Sequence, residues 1–135
     1  MAEHNELGHR GEKIALDYLR QKGLQVEALN WQSGKRELDI VLSTSRELIV
    51  VEVKTRTEGF LLAPEDAVDA RKRRLICEAA HHYIRMHGID LPVRFDIVSV
   101  VLGRDGSCKR IEHRENAFPL LLKRQQRTAP RRRRL

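Results

Sequence analysis

The chain predicts an α/β domain in which helices pack on a mixed β-sheet. Amphipathic helical patterns at residues 6–22 and 64–87 alternate with runs rich in β-branched residues at 24–31, 36–42, 48–56 and 93–102. The order helix, three strands, helix, one or two strands cannot be built from βαβ repeats alone, so parallel and antiparallel pairs must coexist. The runs at 36–42 and 48–56 are apolar on both faces, as inner strands covered above and below would be.

In the first helix, Leu7, Gly11, Ile14, Ala15, Tyr18 and Leu19 recur at three- and four-residue steps and form one stripe. Gly23 follows Arg20 and Lys22 as a C-terminal stop. Glu12 sits on the margin of the stripe, where an acid near a helix N-terminus is favoured by the dipole. Leu24 to Trp31 reads as the first strand, and Trp31 as a packing residue rather than a base-stacking platform. Gln32-Ser33-Gly34-Lys35 is a polar loop. After the next two strands, residues 57–63 form a loop.

The second helix is expected to start near Pro64, with a possible break near Asp69, and to end at His87 before Gly88. Its stripe is Val68, Leu75, Ile76, Ala79, Ala80, Tyr83 and Ile84. Arg71-Lys72-Arg73-Arg74 places positive charge where the helix dipole disfavours it, so carboxylates such as Asp66 and Asp69, or phosphates, are expected nearby. Val93 to Leu102 is a strand, residues 103–106 a turn, and Lys109 to His113 a short edge strand. Asp96 interrupts a buried run and reads as structural, paired with Arg94 or a neighbour.

The chemistry concentrates in the hairpin formed by 36–42 and 48–56. Period-two alternation puts Glu37, Asp39 and Val41 on one face of the first strand, and Val50, Glu52 and Lys54 on one face of the second. If Thr44–Glu47 is the loop, Ser43 faces Leu48, Asp39 faces Glu52 and Glu37 faces Lys54. Directly opposed side chains have Cβ atoms about 4.5–5.5 Å apart. Two carboxylates that close must share a proton or a cation, and Mg²⁺ accepts such a pair while keeping waters and room for a phosphate. Lys54 would stand beside it, able to orient or deprotonate a bound water. The alternative is an internal ion-pair cluster in which Lys54 and Arg56 balance Glu37 and Asp39.

The net charge of +7 is localised. Residues 123–135 carry seven of the 26 Lys and Arg and no acid, while the other 19 cations are matched by all 19 Asp and Glu. The expected organisation is therefore a formally neutral domain over 1–122 and a disordered basic tail over 123–135. Cys77 and Cys108 are far apart, no histidine spacing suggests zinc, and no long apolar run is present. A cytoplasmic protein with free thiols and no membrane partner is expected.

Asp39 followed by Glu52-Val53-Lys54 resembles the PD-(D/E)XK nuclease motif. More specifically, the chain resembles the YraN family of small bacterial proteins. The matching blocks are Gly8-His9-Arg10-Gly11-Glu12, Asn30-Trp31, Glu37-Leu38-Asp39-Ile40, Val51-Glu52-Val53-Lys54-Thr55-Arg56 and Arg94-Phe95-Asp96-Ile97-Val98, in order across residues 5–118. No Pro precedes Asp39, and Arg36-Glu37-Leu38-Asp39 replaces the family's usual Gly-Glu-Ile-Asp, with Gly34 displaced.

The resemblance implies a restriction-endonuclease-like αβββαβ core over 1–122 and a metal-dependent endonuclease. Asp39 and Glu52 would hold Mg²⁺ or Mn²⁺, with the Val53 carbonyl and Glu12 completing the shell. Catalysis would fall to Asp39, Glu52, Lys54 and Glu12. Nucleic acid, DNA foremost, would meet Arg56 and Lys72, with Arg131, Arg132, Arg133 and Arg134 adding a salt-sensitive grip. Many nucleases of this fold act as homodimers. The competing readings are a catalytically weak nucleic-acid- or partner-binding protein that keeps the fold, and a scaffold with internal ion pairs.

Overall fold

A computed structural model describes residues 2–59 and 68–120. Helix α1 (Ala2–Gln21) precedes three strands joined as antiparallel neighbours: β1 (Gln25–Ser33), β2 (Arg36–Ser43) and β3 (Leu48–Thr57). Helix α2 (Ala70–His87) crosses over to β4 (Val93–Leu102), which lies parallel to β3, and β5 (Cys108–Phe118) returns antiparallel. The strands form one mixed sheet in the order β1-β2-β3-β4-β5. The fold is α/β and consistent with a restriction-endonuclease-like core.

The helices cover opposite faces because the inner strands bury both. Ala15 and Leu19 of α1 pack with Ile40, Leu42, Ile49, Val51, Val53, Val98 and Val100. Ile76, Ala79, Ala80 and Tyr83 of α2 pack with Leu38, Val41, Val50, Phe95 and Ile97 on the other side. At Gly11 α1 lies close against β3: a Cβ there would collide with the Thr55 side chain. That contact fixes the height of the neighbouring Glu12 above the sheet.

Several expectations shift. α1 begins earlier, at Ala2, and β1 runs on to Ser33, where Gly34 (φ 64°) opens a two-residue turn into Arg36. Asp69 is the N-cap of α2, its side chain accepting from the Lys72 N–H at 2.9 Å, so the expected break is the true helix start. The expected start at Pro64, with Asp66, lies outside the described residues, as does most of the 57–63 loop. Leu75, assigned to the stripe, is 42% exposed; Cys77, two residues on, is buried instead. α2 ends at Gly88 in the left-handed conformation, with Ile89 N–H returning to the Ile84 carbonyl at 3.0 Å.

The last strand is longer than the expected 109–113 because Asp96 repairs a break in it. Between Phe95↔Phe118 and Ile97↔Arg114 the ladder shifts, and Asn116 adopts φ 52°. Asp96 Oδ1 accepts the Asn116 N–H at 3.0 Å, and Phe118 stacks on Phe95 beyond. Asp96 also accepts from Arg94 Nε and Nη2, each at 2.9 Å, and from His113 Nε2 at 2.8 Å. Lys22 Nζ, which can only donate, lies 3.0 Å from His113 Nδ1, so the imidazole carries its proton on Nε2. Burial alone would raise the Asp96 pKa; the His113, Arg94 and Asn116 hydrogen bonds overcome it and hold the carboxyl below its ordinary value. The structural reading of Asp96 is the one the geometry shows.

Candidate functional site

The β2–β3 ladder runs from Ser43↔Leu48 to Ile40↔Val51 and then stops. The expected register is present, but the ladder ends one step before Asp39 would face Glu52 and three steps before Glu37 would face Lys54. The strands fork there. Asp39 Oδ2 fills the gap by accepting the Val53 N–H at 2.9 Å.

Simple alternation also fails at this point. Ile40 belongs to the α1-side core, yet Leu38, two residues away, belongs to the α2-side core with Val41. Opposite this point on β1, Asn30 takes φ 47° between the pairs Leu29↔Ile40 and Trp31↔Leu38. Asp39 leaves the face it would share with Val41 and meets Glu12 of α1. Asn30 Nδ2 donates to Glu12 Oε1 at 2.9 Å, tying the same irregularity to the helix.

Three acids converge as a result. Glu12, Glu37 and Asp39 each bring a carboxylate oxygen within 4.8 Å of the others. Glu12 and Asp39 are half-buried and Glu37 is exposed. Burial, then the Glu52 charge, then Glu12 and Glu37 push the Asp39 carboxyl up to about 8, against the one Val53 N–H that pulls it down.

Glu52 lies between Val51 and Val53, which face α1, and so turns to the α2 side. It is 5% exposed and sits between two amines, with Lys54 Nζ at 3.4 Å and Lys72 Nζ at 3.6 Å from Oε2. Lys72 belongs to the first turn of α2, fixed by the Asp69 cap. Among the described residues, the basic turn of α2 meets Glu52 across the interface through Lys72, besides its own Asp69 cap. The fork thus has an acid-rich side and an amine-rich side, joined by the Asp39–Glu52 interaction.

Of the residues expected to act together, Glu12 and Asp39 meet, and Lys54 meets Glu52. Glu52 is not among the three clustered acids. Lys54 pairs with Glu52 rather than with Glu37, and Arg56, half-buried, shares its face of β3 by alternation. Arg131 to Arg134 lie outside the described residues. Glu37 is the member absent from the expected ligand set; its place two residues before Asp39 was the available signal. Trp31, partly buried, packs edge-on against Tyr83, centroids 5.2 Å apart, in keeping with its reading as a packing residue.

The fold and site define an α/β protein with an acidic cluster at a forked pair of strands, backed by two lysines. The chain belongs to the family described as "Uncharacterised protein family UPF0102", the YraN family, whose model matches residues 11–100. It is 80% identical to a UPF0102 protein of Porphyromonas gingivalis over 135 residues, the whole of both chains. A UPF0102 protein of Parabacteroides distasonis is 51% identical over 118 residues, 87% of this chain and 96% of the relative. One from Christiangramia forsetii is 39% identical over 118 residues, 87% and 98% of the two chains. Among the described residues no helix is long and apolar enough to cross a membrane.

Proposed function

We propose that this protein is a Mg²⁺- or Mn²⁺-dependent nuclease of the PD-(D/E)XK class that hydrolyses phosphodiester bonds, with DNA as the first substrate to test. The observation that carries the proposal is the convergence of the Glu12, Glu37 and Asp39 carboxylates within 4.8 Å of one another, around a half-buried Asp39 whose carboxyl is pushed upward by burial and acidic neighbours. At neutral pH such a cluster favours either a proton or a cation. The donors are all carboxylate oxygens, which suits a hard divalent ion that keeps waters.

Asp39, Glu12 and Glu37 would hold the ion, with Glu52 as the acid across the fork. When bound, the ion supplies a water-derived hydroxide near neutral pH and stabilises charge on the phosphoryl oxygens. Lys54 and Lys72 would attract the scissile phosphate, and Lys54 would orient the attacking water. Asn30 holds Glu12 toward the site by its amide, and Val53 N–H fixes the rotation of Asp39.

A second reading has its own support. Glu52 is already neutralised by two lysines, as in a phosphate-binding protein that retains the fold with little turnover. Calorimetric titration with Mn²⁺ and cleavage assays on duplex, single-stranded and branched DNA and on RNA separate the readings. The nuclease reading expects Mn²⁺ binding that disappears in Asp39→Asn, and cleavage that disappears in Lys54→Ala and Glu52→Ala. Absence of Mn²⁺ binding, or cleavage undiminished in Lys54→Ala, would overturn it. Nucleic-acid binding without cleavage would favour the second reading.

A further inference from the structure

Glu52 is aimed at the two lysines and away from the clustered acids. Val51 and Val53 enter the α1-side core, so Glu52 between them points to the α2 side. Its partner across the parallel ladder is the buried Ile97, and Lys54 stands in register with the buried Ser99. A carboxylate 5% exposed beside an aliphatic wall needs compensating charge close by. Two amines supply it at one oxygen, Lys54 Nζ at 3.4 Å and Lys72 Nζ at 3.6 Å from Oε2. They come from different elements, β3 and the first turn of α2, and Glu52 is the point where they meet.

The acids on the other side of the fork form a set without Glu52. Glu12, Glu37 and Asp39 bring carboxylate oxygens within 4.8 Å of one another, with Asn30 holding Glu12 and the Val53 N–H holding Asp39. Mg²⁺ uses one or two carboxylates and keeps waters, so a fourth acid would add repulsion rather than a needed ligand. The Glu52 charge reaches Asp39 across the fork, but joining the cluster would require its carboxyl to leave both amines. The side chain that the PD-(D/E)XK resemblance makes a ligand thus fits that role poorly in this chain.

We propose that Glu52 is a positioning residue and not a ligand of the ion: it gathers the amines of Lys54 and Lys72 at one point beside the fork, while Glu12, Glu37 and Asp39 form the cation site. The cation half rests on the nuclease reading; the gathering of the amines does not.

The test is proton exchange with water at lysine amines, read by NMR on the full chain labelled with ¹⁵N-lysine at low temperature and mildly acidic pH. Loss of a signal in Lys54→Met or Lys72→Met assigns it. In EDTA both amines should exchange severalfold more slowly than that of the exposed Lys13, and Glu52→Gln should erase the difference. Glu52→Asp keeps the charge but shortens the reach, and should speed at least one of the two even if Glu52→Gln fails to fold. Exchange as fast as that of Lys13 in the wild type, or unchanged in both variants, would overturn the proposal. Mg²⁺ is then added until the Val53 amide, which reports on Asp39, stops shifting. Slow exchange that persists at saturation supports the assignment, whereas release of both amines would make Glu52 a ligand and overturn it. A Val53 amide that Mg²⁺ does not move would remove the nuclease reading and its cation site, while slow exchange in EDTA would still uphold the gathering of the amines.

Discussion

Asp39 and Asp96 occupy matching predicaments and resolve them in opposite ways. Each sits where a strand ladder breaks near an asparagine in the left-handed region, and each accepts a stray backbone N–H, Val53 for one and Asn116 for the other. Asp96 is then surrounded by Arg94 and His113, and its carboxyl is held below the ordinary value. Asp39 is surrounded by Glu12, Glu37 and Glu52, and is pushed up to about 8. The same side chain doing the same backbone repair is matched by cations from within the fold in one place and crowded by acids in the other. What separates a structural carboxylate from a candidate reactive one is the sign of its neighbours.

The contrast is broken most severely by Asp96→Ala, which removes two of the Arg94 hydrogen bonds, leaving that guanidinium its Glu47 pair, and leaves the Asn116 amide without its acceptor. Urea denaturation should show a loss of about 3–5 kcal/mol. For the wild type, the folded pKa of Asp96 lies below its unfolded value. Its contribution is therefore present above pH 3.8 and is lost as pH falls through the folded value.

Gly11→Ala comes next. The added methyl meets Thr55 and must lift α1, costing about 1–3 kcal/mol in thermal or urea unfolding and displacing Glu12. Mn²⁺ affinity measured by calorimetry should fall with it.

Asp39→Asn sharpens the comparison because its sign is reversed. A raised folded pKa means that the ionised form is penalised in the fold; the penalty grows as pH rises from 3.8 and is complete above about 8. In EDTA at pH 8.5 the variant should be more stable than wild type by roughly 1–2 kcal/mol after allowance for solvent screening, and the gain should vanish near pH 4. Added Mn²⁺ should stabilise wild type and leave Asp39→Asn unmoved. A variant less stable than wild type at pH 8.5 in EDTA would place Asp39 in the same class as Asp96. The smallest effect is that of Asp69→Ala, about 1 kcal/mol from the lost N-cap of α2.

Much of this architecture was readable from the residues. The α1 stripe, the double-sided apolar strands, the Ser43↔Leu48 register and the partnership of Arg94 with Asp96 all follow from periodicity and charge. Three features did not. The alternation from which Asp39 was placed beside Val41 breaks opposite Asn30 in the left-handed region, and nothing in local patterning distinguishes Asn30 from an ordinary strand asparagine. Leu75 satisfies helical spacing but falls on the open side once Asp69 sets where the turns begin. Glu37 joins Glu12 and Asp39 because the fork opens, a property of the paired strands and not of either sequence run alone.

The short connection between β2 and β3 governs more than its own corner. Thr44 accepts the Arg46 and Glu47 amides at 3.1 Å each and donates its own N–H to the Glu47 carbonyl at 2.9 Å, closing the turn at a fixed length. Asp39 lies five residues back along β2, about 17 Å away in an extended strand. Surface connections ordinarily accept an inserted or deleted residue with little penalty. Here one residue more or less would slide β2 along β3 and exchange Asp39 for Leu38 or Ile40 at the mouth of the opening. An outwardly unremarkable bend thus acts as the ruler for the acidic cluster at the far end of the strands.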